Sequence, residues 1–164
     1  MKQLAGRVAV VPGGGSGIGR GLCRGFAAEG MAVAVADVDL GSAEETASGL
    51  RERGARAIAV HTDVSDRMCV EELASRVQSE LGGAHVVCNN AGVGGGGSAW
   101  DAPVKGWEWT FGVNLWGVVH GIRTFVPLMI KGGESTMPSR IARITRPFAK
   151  QCSRQVRPTR RAAG

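Results

Sequence analysis

The stretch Gly13-Gly14-Gly15-Ser16-Gly17-Ile18-Gly19 decides how this chain folds. It follows a short β-branched run at residues 7–11 and precedes residues 18–29, where apolar side chains recur at helical spacing. Such a turn lets a pyrophosphate approach the backbone, where the amides and dipole of the helix N-terminus stabilise it. We predict a dinucleotide-binding turn rather than a plain strand–helix connector. The residues expected to hold the pyrophosphate are Gly13, Ser16, Gly17, Ile18 and Gly19.

Strand-like and helix-like segments alternate on the carboxyl side of this turn. The predicted strands are 7–11, 32–36, 56–60 and 84–88, and the predicted helices are 18–29, 42–53, 66–81 and 107–130. Ser42-x-x-Glu45 has the pattern of a capping box for the second helix, and Gly82-Gly83 ends the third. The strands are continuously apolar, which is typical of parallel strands buried on both faces. The sequence therefore predicts an α/β fold with a doubly wound parallel sheet of the Rossmann type.

The regular pattern stops after Lys131. Residues 132–164 contain three prolines, scattered arginines and no sustained apolar period. We expect a dinucleotide-binding domain over residues 1–130, with an incomplete sheet, and a poorly ordered basic tail over residues 131–164.

The positive charge of the chain is concentrated in this tail. Nine Lys or Arg residues against one acid give residues 131–164 a charge of +8, so residues 1–130 carry −2 of the total of +6. A mildly acidic body argues against a whole-protein electrostatic surface for nucleic acid. A nucleic-acid-binding tail remains as an alternative, and we expect no specific nucleic-acid partner.

Cysteine and histidine spacing indicates neither a disulfide framework nor a metal site. The cysteines (Cys23, Cys69, Cys88 and Cys152) are far apart, and the three histidines have no metal-ligand spacing. The apolar residues 111–130 are interrupted by Asn114, His120, Arg123 and Pro127, which argues against a membrane span. With no signal-peptide pattern, we expect a cytoplasmic protein without a membrane partner.

Asp37 is the candidate residue for recognising the adenosine ribose. It ends the second predicted strand, about 20 residues beyond the glycine turn, where a carboxylate can accept both ribose hydroxyls. The carboxylate would repel a 2′-phosphate, and the neighbouring Val38 offers that phosphate no positive charge. NAD is therefore favoured over NADP. The alternative is that Asp37 only caps a turn together with Asp39.

These motifs, in this order, resemble the short-chain dehydrogenase/reductase family over residues 4–130. The family's glycine motif T-G-x-x-x-G-x-G is matched by Gly13, Gly17 and Gly19, although Pro12 stands in place of the threonine. Asp63-Val64 resembles the family's adenine-contacting aspartate and its neighbour. The run Asn89-Asn90-Ala91-Gly92 matches the family's N-N-A-G.

The resemblance assigns roles to these residues. Asp63 and Val64 would hold the adenine, and Asn90, Ala91 and Gly92 would line the nicotinamide side of the cofactor pocket. Asn114 lies where the family places its catalytic asparagine and would hold a water relay. The implied activity is NAD-dependent oxidation of a secondary alcohol or reduction of the corresponding ketone, within a homo-oligomer.

The rest of the family's catalytic group is missing from this sequence. The family uses a serine and a Tyr-x-x-x-Lys pair, but the chain has no tyrosine, and Arg146 stands four residues before Lys150. We therefore predict that this chain is inactive, with Asn114 as the surviving catalytic member and an impaired subunit interface. A reading-frame shift near residues 129–133 is our hypothesis for the change of pattern. The alternative function is a non-catalytic NAD-binding or regulatory protein.

Overall fold

A computed structural model describes residues 4–94 and 98–131. Four parallel strands form one sheet in the order β3-β2-β1-β4, with β1 at Val8–Pro12, β2 at Ala32–Asp37, β3 at Ala57–His61 and β4 at Val86–Val87. Val8 pairs with Ala32 and Val33 pairs with Ala57, so β2 lies between β1 and β3. The predicted α/β fold with a parallel sheet is confirmed. The predicted tail lies outside the described residues.

Helices cover both faces of this sheet. They are α1 (Gly17–Ala28), α2 (Leu40–Arg51), α3 (Arg67–Leu81), α4 (Val104–Phe111) and α5 (Gly117–Lys131), with a π-helical segment at Gly112–Trp116 joining α4 to α5. The α3 boundaries match the prediction closely, and Gly82 ends that helix in the left-handed conformation with φ of +89°. The predicted last helix is real but begins earlier and contains the π-helical segment.

Two sequence-based details were wrong. Helix α2 begins at Leu40 rather than Ser42, because the side chain of Asp39 accepts hydrogen bonds from the N–H groups of Gly41 and Ser42 and so caps the helix. Glu45 points away from this cap and pairs with α1 instead. Strand β4 keeps only two residues of the predicted five.

The core consists of two apolar clusters, one on each face of the sheet. Val8 and Val10 of β1 pack on the face covered by α3 and α5, where Leu73 and Phe125 are buried. Val11 packs on the opposite face with residues from α1 and α2. Burial on both faces explains why the strands are continuously apolar.

The free edge of β3 is protected by arginine side chains. Val33 of β2 donates to the carbonyl of Arg56, so the carbonyls of Ala57 and Ala59 face away from the sheet. Arg51 donates to the Ala57 oxygen at 3.2 Å and Arg76 donates to the Ala59 oxygen at 3.3 Å. These bonds occupy edge acceptors that could otherwise pair with another strand.

The continuous helix Val104–Lys131 is long and apolar enough, by length and composition alone, to cross a membrane. Of its most apolar 18 residues, 22% are buried. Core helices of soluble proteins meet the same criterion. Asn114 and His120, within this helix, bond to loop backbone. Trp109, Leu115 and Ile122 are about half exposed, so much of its apolar surface is uncovered by the described residues.

Candidate functional site

The candidate site lies at the point in the sheet where the order of strand addition reverses. After β3 the chain crosses to the other side of β1, so the segments that follow β1 and β4 diverge at the carboxyl edge of the sheet. Ligands of open α/β sheets bind in the crevice at such a point. The glycine turn follows β1, Asp37 ends β2, Asp63 follows β3, and Asn90 follows β4. The fold therefore places the residues singled out in the sequence at one edge.

Two glycines of the turn are required by close packing. A Cβ atom on Gly19 would lie 1.8 Å from the carbonyl oxygen of Gly13, and a Cβ on Gly13 would lie 2.9 Å from the Cα of Ala91. Gly13 also has φ of +72°, which favours glycine. By contrast, the space beside Gly17 is open, because a Cβ on this residue would have no heavy atom from elsewhere in the chain within 4 Å. The turn is thus tightly packed toward the protein and open at Gly17.

The N-terminus of α1 lacks the side-chain cap that α2 and α3 have. Ser16, the N-cap residue, makes no capping hydrogen bond, whereas Asp39 and Asp66 cap the other two helices. The first-turn amides of a helix have no partner within it, and here they remain available to an anion. Ile18 in this turn is 74% exposed, so it does not belong to the core face that its helical spacing suggested.

Asp37 contacts the glycine turn directly. Its Oδ2 accepts a hydrogen bond from the Gly15 N–H at 2.9 Å, and its Oδ1 accepts one from the Asp39 N–H at 3.1 Å. The turn-capping contact with Asp39 is therefore present, and so is the contact with the glycine turn. Each carboxylate oxygen keeps a further lone pair for a hydroxyl.

Sequence reasoning missed the contacts that hold the carbonyl group of Gly15. Arg20 of α1 donates two hydrogen bonds to this oxygen, and the buried Thr46 hydroxyl of α2 donates a third at 3.3 Å. Arg20 also pairs with Glu45. No local pattern signals this contact, because its members are separated by up to 31 residues.

Asp63 and Val64 form the loop after β3. The Asp63 Oδ1 accepts from the N–H and the hydroxyl of Ser65 at 2.9 and 2.7 Å, which fixes the carboxylate and leaves Oδ2 free of hydrogen bonds to the described residues. Val64 is buried against Gly117, where a Cβ would lie 2.7 Å from its Cγ2. Its carbonyl contacts His120 Nδ1 at 3.0 Å. The loop is therefore held by α5.

Asn90 ties the end of β4 to the glycine turn. Its Nδ2 donates to the carbonyl oxygens of Pro12 and Gly13 at 3.1 and 3.2 Å. Ala91 packs on Gly13, and Gly92 is exposed beside the Asn114 side chain. Asn90 and Ala91 thus contact the glycine turn directly, while Gly92 lies at the start of the exposed loop after β4.

Asn114 lies in the π-helical segment, and its side-chain amide makes two hydrogen bonds to the loop after β4. Nδ2 donates to the Val93 carbonyl and Oδ1 accepts from the Val93 N–H, both at 2.8 Å. The side chain therefore holds the loop after β4, while Nδ2 keeps a second N–H and Oδ1 keeps a second lone pair for a further hydrogen bond. The water relay expected at Asn114 stays a prediction.

Two buried thiols lie beneath the turn. Burial raises the pKa of Cys23 to about 12, with a further contribution from Cys88, and raises the pKa of Cys88 to about 11. Cys23 Sγ would lie 3.1 Å from a Cβ on Gly14, so it packs under the turn as an uncharged apolar group. Residues 4–94 and 98–131 contain no cluster of three or more His, Cys, Asp or Glu side chains able to hold a metal ion.

Comparison with known proteins identifies the family. The family model for short chain dehydrogenases matches residues 7–138. The chain therefore belongs to the short-chain dehydrogenase family, and its fold is the Rossmann fold of these oxidoreductases. The resemblance drawn from the glycine turn and the N-N-A-G run is confirmed.

Individual relatives cover most of this chain. A crystal structure of a short-chain dehydrogenase/reductase from Burkholderia phymatum in complex with NAD matches with a TM-score of 0.78 and 44% identity, over 80% of this chain and 47% of that one. The 1-deoxy-11-beta-hydroxypentalenate dehydrogenase of Streptomyces exfoliatus is 42% identical over 80% of this chain and 48% of its own length. The "Probable oxidoreductase EphD" of Mycobacterium tuberculosis is 40% identical over 75% of this chain and 21% of its own. The chain thus spans about half the length of the first two relatives and about a fifth of the third.

Proposed function

We propose that this chain binds NAD at the carboxyl ends of its strands, as the cofactor-binding part of a short-chain dehydrogenase acting on a secondary alcohol or ketone. The observation that carries the proposal is the uncapped N-terminus of α1 beside the glycine turn, with the Asp37 carboxylate bonded to that turn. The similar short-chain dehydrogenase/reductase from Burkholderia phymatum was crystallised in complex with NAD, which supports the same cofactor for this chain.

The residues of the site fit the two halves of the adenosine diphosphate group. The first-turn amides of α1 and the open face at Gly17 suit a pyrophosphate, which needs hydrogen-bond donors and close backbone approach. The Asp37 carboxylate suits the ribose hydroxyls, and Asp63 with Val64 would hold the adenine. Asn90, Ala91 and Gly92 would bound the nicotinamide side. Bound NAD supplies the hydride acceptor, and these residues bind and orient it.

The preference for NAD over NADP rests on charge at Asp37. A 2′-phosphate would bring negative charge beside a carboxylate that already accepts two backbone hydrogen bonds. The adjacent Val38 is 64% exposed and uncharged, so it provides no compensating cation. Repulsion without compensation disfavours the phosphorylated cofactor.

We further propose that the 164-residue chain by itself does not transfer hydride. General acid–base catalysis needs a side chain that passes the proton as hydride moves, and the family's tyrosine has no counterpart among these residues. Asn114 supports the loop after β4 rather than replacing that acid. The small-molecule partner that the family implies is an alcohol or ketone, and NAD in the cytoplasm is the cofactor that we expect this chain to bind.

Calorimetric titration with NAD and NADP tests the binding proposal. We expect saturable NAD binding, weaker NADP binding, and a rise of roughly tenfold or more in the NAD dissociation constant for Asp37→Ala. Asp101→Ala is the matched control, because Asp101 is an exposed carboxylate of the loop before α4. A folded chain that binds neither cofactor overturns the proposed function, and equal affinity for both overturns the NAD preference. Turnover of NADH with a ketone would contradict the proposed inactivity.

A further inference from the structure

Arg20 connects the glycine turn to the first two helices. Its Nε and Nη2 donate to the carbonyl oxygen of Gly15 at 2.9 and 2.6 Å. Its Nη1 and Nη2 also donate to the two carboxylate oxygens of Glu45, on α2, at 3.0 and 3.1 Å. A guanidinium offers five N–H donors in a rigid plane, and most of them are used here. One side chain of α1 thus holds the turn and α2 together.

Gly15 is held at both of its backbone groups. Its N–H donates to Asp37 Oδ2 at 2.9 Å, while its carbonyl accepts from Arg20 and from the buried Thr46 hydroxyl. Glycine is the residue with the greatest backbone freedom, so these contacts fix torsions that would otherwise vary. A Cβ on Gly15 would lie 2.8 Å from both Asp37 Oδ2 and the Ser42 Cβ. A residue with a side chain therefore does not fit at this position, and the hydrogen bonds must fix the torsions of a glycine.

Fixing the Gly15 carbonyl also sets the direction of the next amide. The Gly15–Ser16 peptide is trans, so its N–H and C=O point in opposite directions. Because this carbonyl points toward the Arg20 guanidinium and the Thr46 hydroxyl of α2, the Ser16 N–H points away from both. Among the residues that the structure describes, this N–H has no hydrogen-bond acceptor.

We infer that Arg20 is a positioning residue of the cofactor site, which fixes Gly15 so that the Ser16 amide and the Asp37 carboxylate are presented together. The inference rests on the proposed function, since these two groups are the ones assigned to the pyrophosphate and the ribose. The contact to the Gly15 carbonyl carries the effect. The ion pair contributes less, because the Glu45 side chain is 69% exposed and solvent screens the pair.

Four variants of the full chain separate these contributions. Arg20→Met removes every bond of the guanidinium, Glu45→Gln removes the ion pair only, and Arg20→Lys keeps the charge without the planar fork. The matched control is Arg67→Met, which breaks the exposed pair with Glu71 within α3. We expect the NAD dissociation constant to rise roughly tenfold for Arg20→Met and less for Arg20→Lys. Glu45→Gln is expected to change it by about twofold or less, and Arg67→Met should leave it unchanged.

Amide hydrogen exchange followed by NMR gives a second readout that needs no cofactor. In the unmodified chain the Gly15 amide is expected to be protected by its bond to Asp37. Arg20→Met should accelerate exchange at Gly15 while leaving core amides such as that of Leu73 in α3 unchanged, and Glu45→Gln should preserve protection at Gly15.

Three results would count against the inference. Unchanged NAD affinity together with unchanged Gly15 protection in Arg20→Met overturns it. Uniformly faster exchange throughout Arg20→Met and Arg20→Lys would mean that Arg20 stabilises the whole fold, which also overturns a positioning role. If the unmodified chain binds no NAD, the proposed function and the cofactor part of the inference fall together, while the exchange experiment still decides whether Arg20 fixes the turn.

Discussion

At the scale of single residues, Gly19 leaves the least room for a side chain among the glycines that the structure describes. A Cβ there would overlap the Gly13 carbonyl oxygen at 1.8 Å, and because that oxygen belongs to the backbone, the turn itself would have to move. We expect Gly19→Ala to destabilise the fold by about 3 kcal/mol or more and to abolish NAD binding. Urea unfolding and calorimetry measure both effects.

Gly21→Ala is the matched control for this substitution. Gly21 lies in the same helix, is exposed, and has no heavy atom within 4 Å of a built Cβ. Alanine at a helical glycine is expected to stabilise the protein by about 0.5–1 kcal/mol. If both variants behaved alike, the clash at Gly19 would not be the cause.

His85 makes the fold sensitive to pH. Its Nδ1 accepts a hydrogen bond from the Val8 N–H at 3.1 Å, which requires an unprotonated nitrogen. Partial burial, with a smaller contribution from Arg7, lowers the pKa of His85 below its ordinary value of 6.5. The protonated form is therefore disfavoured in the folded state. Stability from this contact is complete above pH 6.5 and is lost as pH falls through the lowered pKa.

Substitution of His85 by asparagine tests this pH dependence. An asparagine Oδ1 can accept the Val8 N–H and does not titrate. We expect the urea midpoint of the unmodified chain to fall more steeply than that of His85→Asn between pH 7 and pH 5. Parallel pH profiles for the two proteins would show that another group is responsible.

At the scale of elements, the π-helical segment aligns the last helix with two loops. Gly112 and Gly117 are five residues apart, a spacing that separates faces of an α-helix by about 140°. The extra residue of a π-helical turn restores the alignment. Gly112 then faces Ser65, Gly117 faces Val64, and Gly121 faces Asn89, where a Cβ would lie 2.2 Å from Oδ1. Segments after β3 and β4 are thus held by one helix face.

Asn114 attaches this segment to the loop after β4, and its removal should loosen that loop. Asn114→Ala deletes both bonds to the Val93 backbone, so we expect a loss of about 1–3 kcal/mol in unfolding free energy and faster amide exchange at Val93. Thr110→Ala is the control, since it removes a bond to Gly106 within the same helix. Equal exchange at Val93 in both variants would contradict the attachment.

The sequence predicted elements where the signal is local. Apolar runs located the strands, and the left-handed Gly82 ended α3 as expected. The start of α2 was misplaced because Ser42 and Glu45 match a capping box, although Asp39 lies closer to the true first turn. The π-helical segment was missed because it accompanies contacts of Gly117 and Gly121 with distant loops, which a helical period does not reveal.

The same distinction applies to the candidate site. Asp37 and the glycine turn were predictable, because their spacing along the chain reflects one β-α-β unit. The bonds from Arg20 to Gly15 and Glu45 were not, because they depend on how α1 and α2 pack side by side. The side-chain role of Asn114 also required coordinates, since its partner is the backbone of a loop 21 residues away.

At the scale of the whole molecule, the described residues protect one side of the sheet far better than the other. The β3 edge has arginine donors on its outward carbonyls, and the adjoining helices α2 and α3 bury one apolar face each. On the β4 side, the strand has two residues, and Trp109, Leu115 and Ile122 of the last helix are exposed. Exposed apolar side chains on one helix favour association.

We therefore expect concentration-dependent self-association through this helix. Leu115→Gln together with Ile122→Gln should shift the chain toward monomer in sedimentation velocity while leaving NAD affinity unchanged, because neither residue is assigned to the cofactor. Met68→Gln is the control, since Met68 is 60% exposed and belongs to α3 rather than to the last helix. A chain that stays monomeric at every concentration before any substitution would contradict the prediction. A monomer produced equally by Met68→Gln would show that general surface polarity, rather than the last helix, controls association.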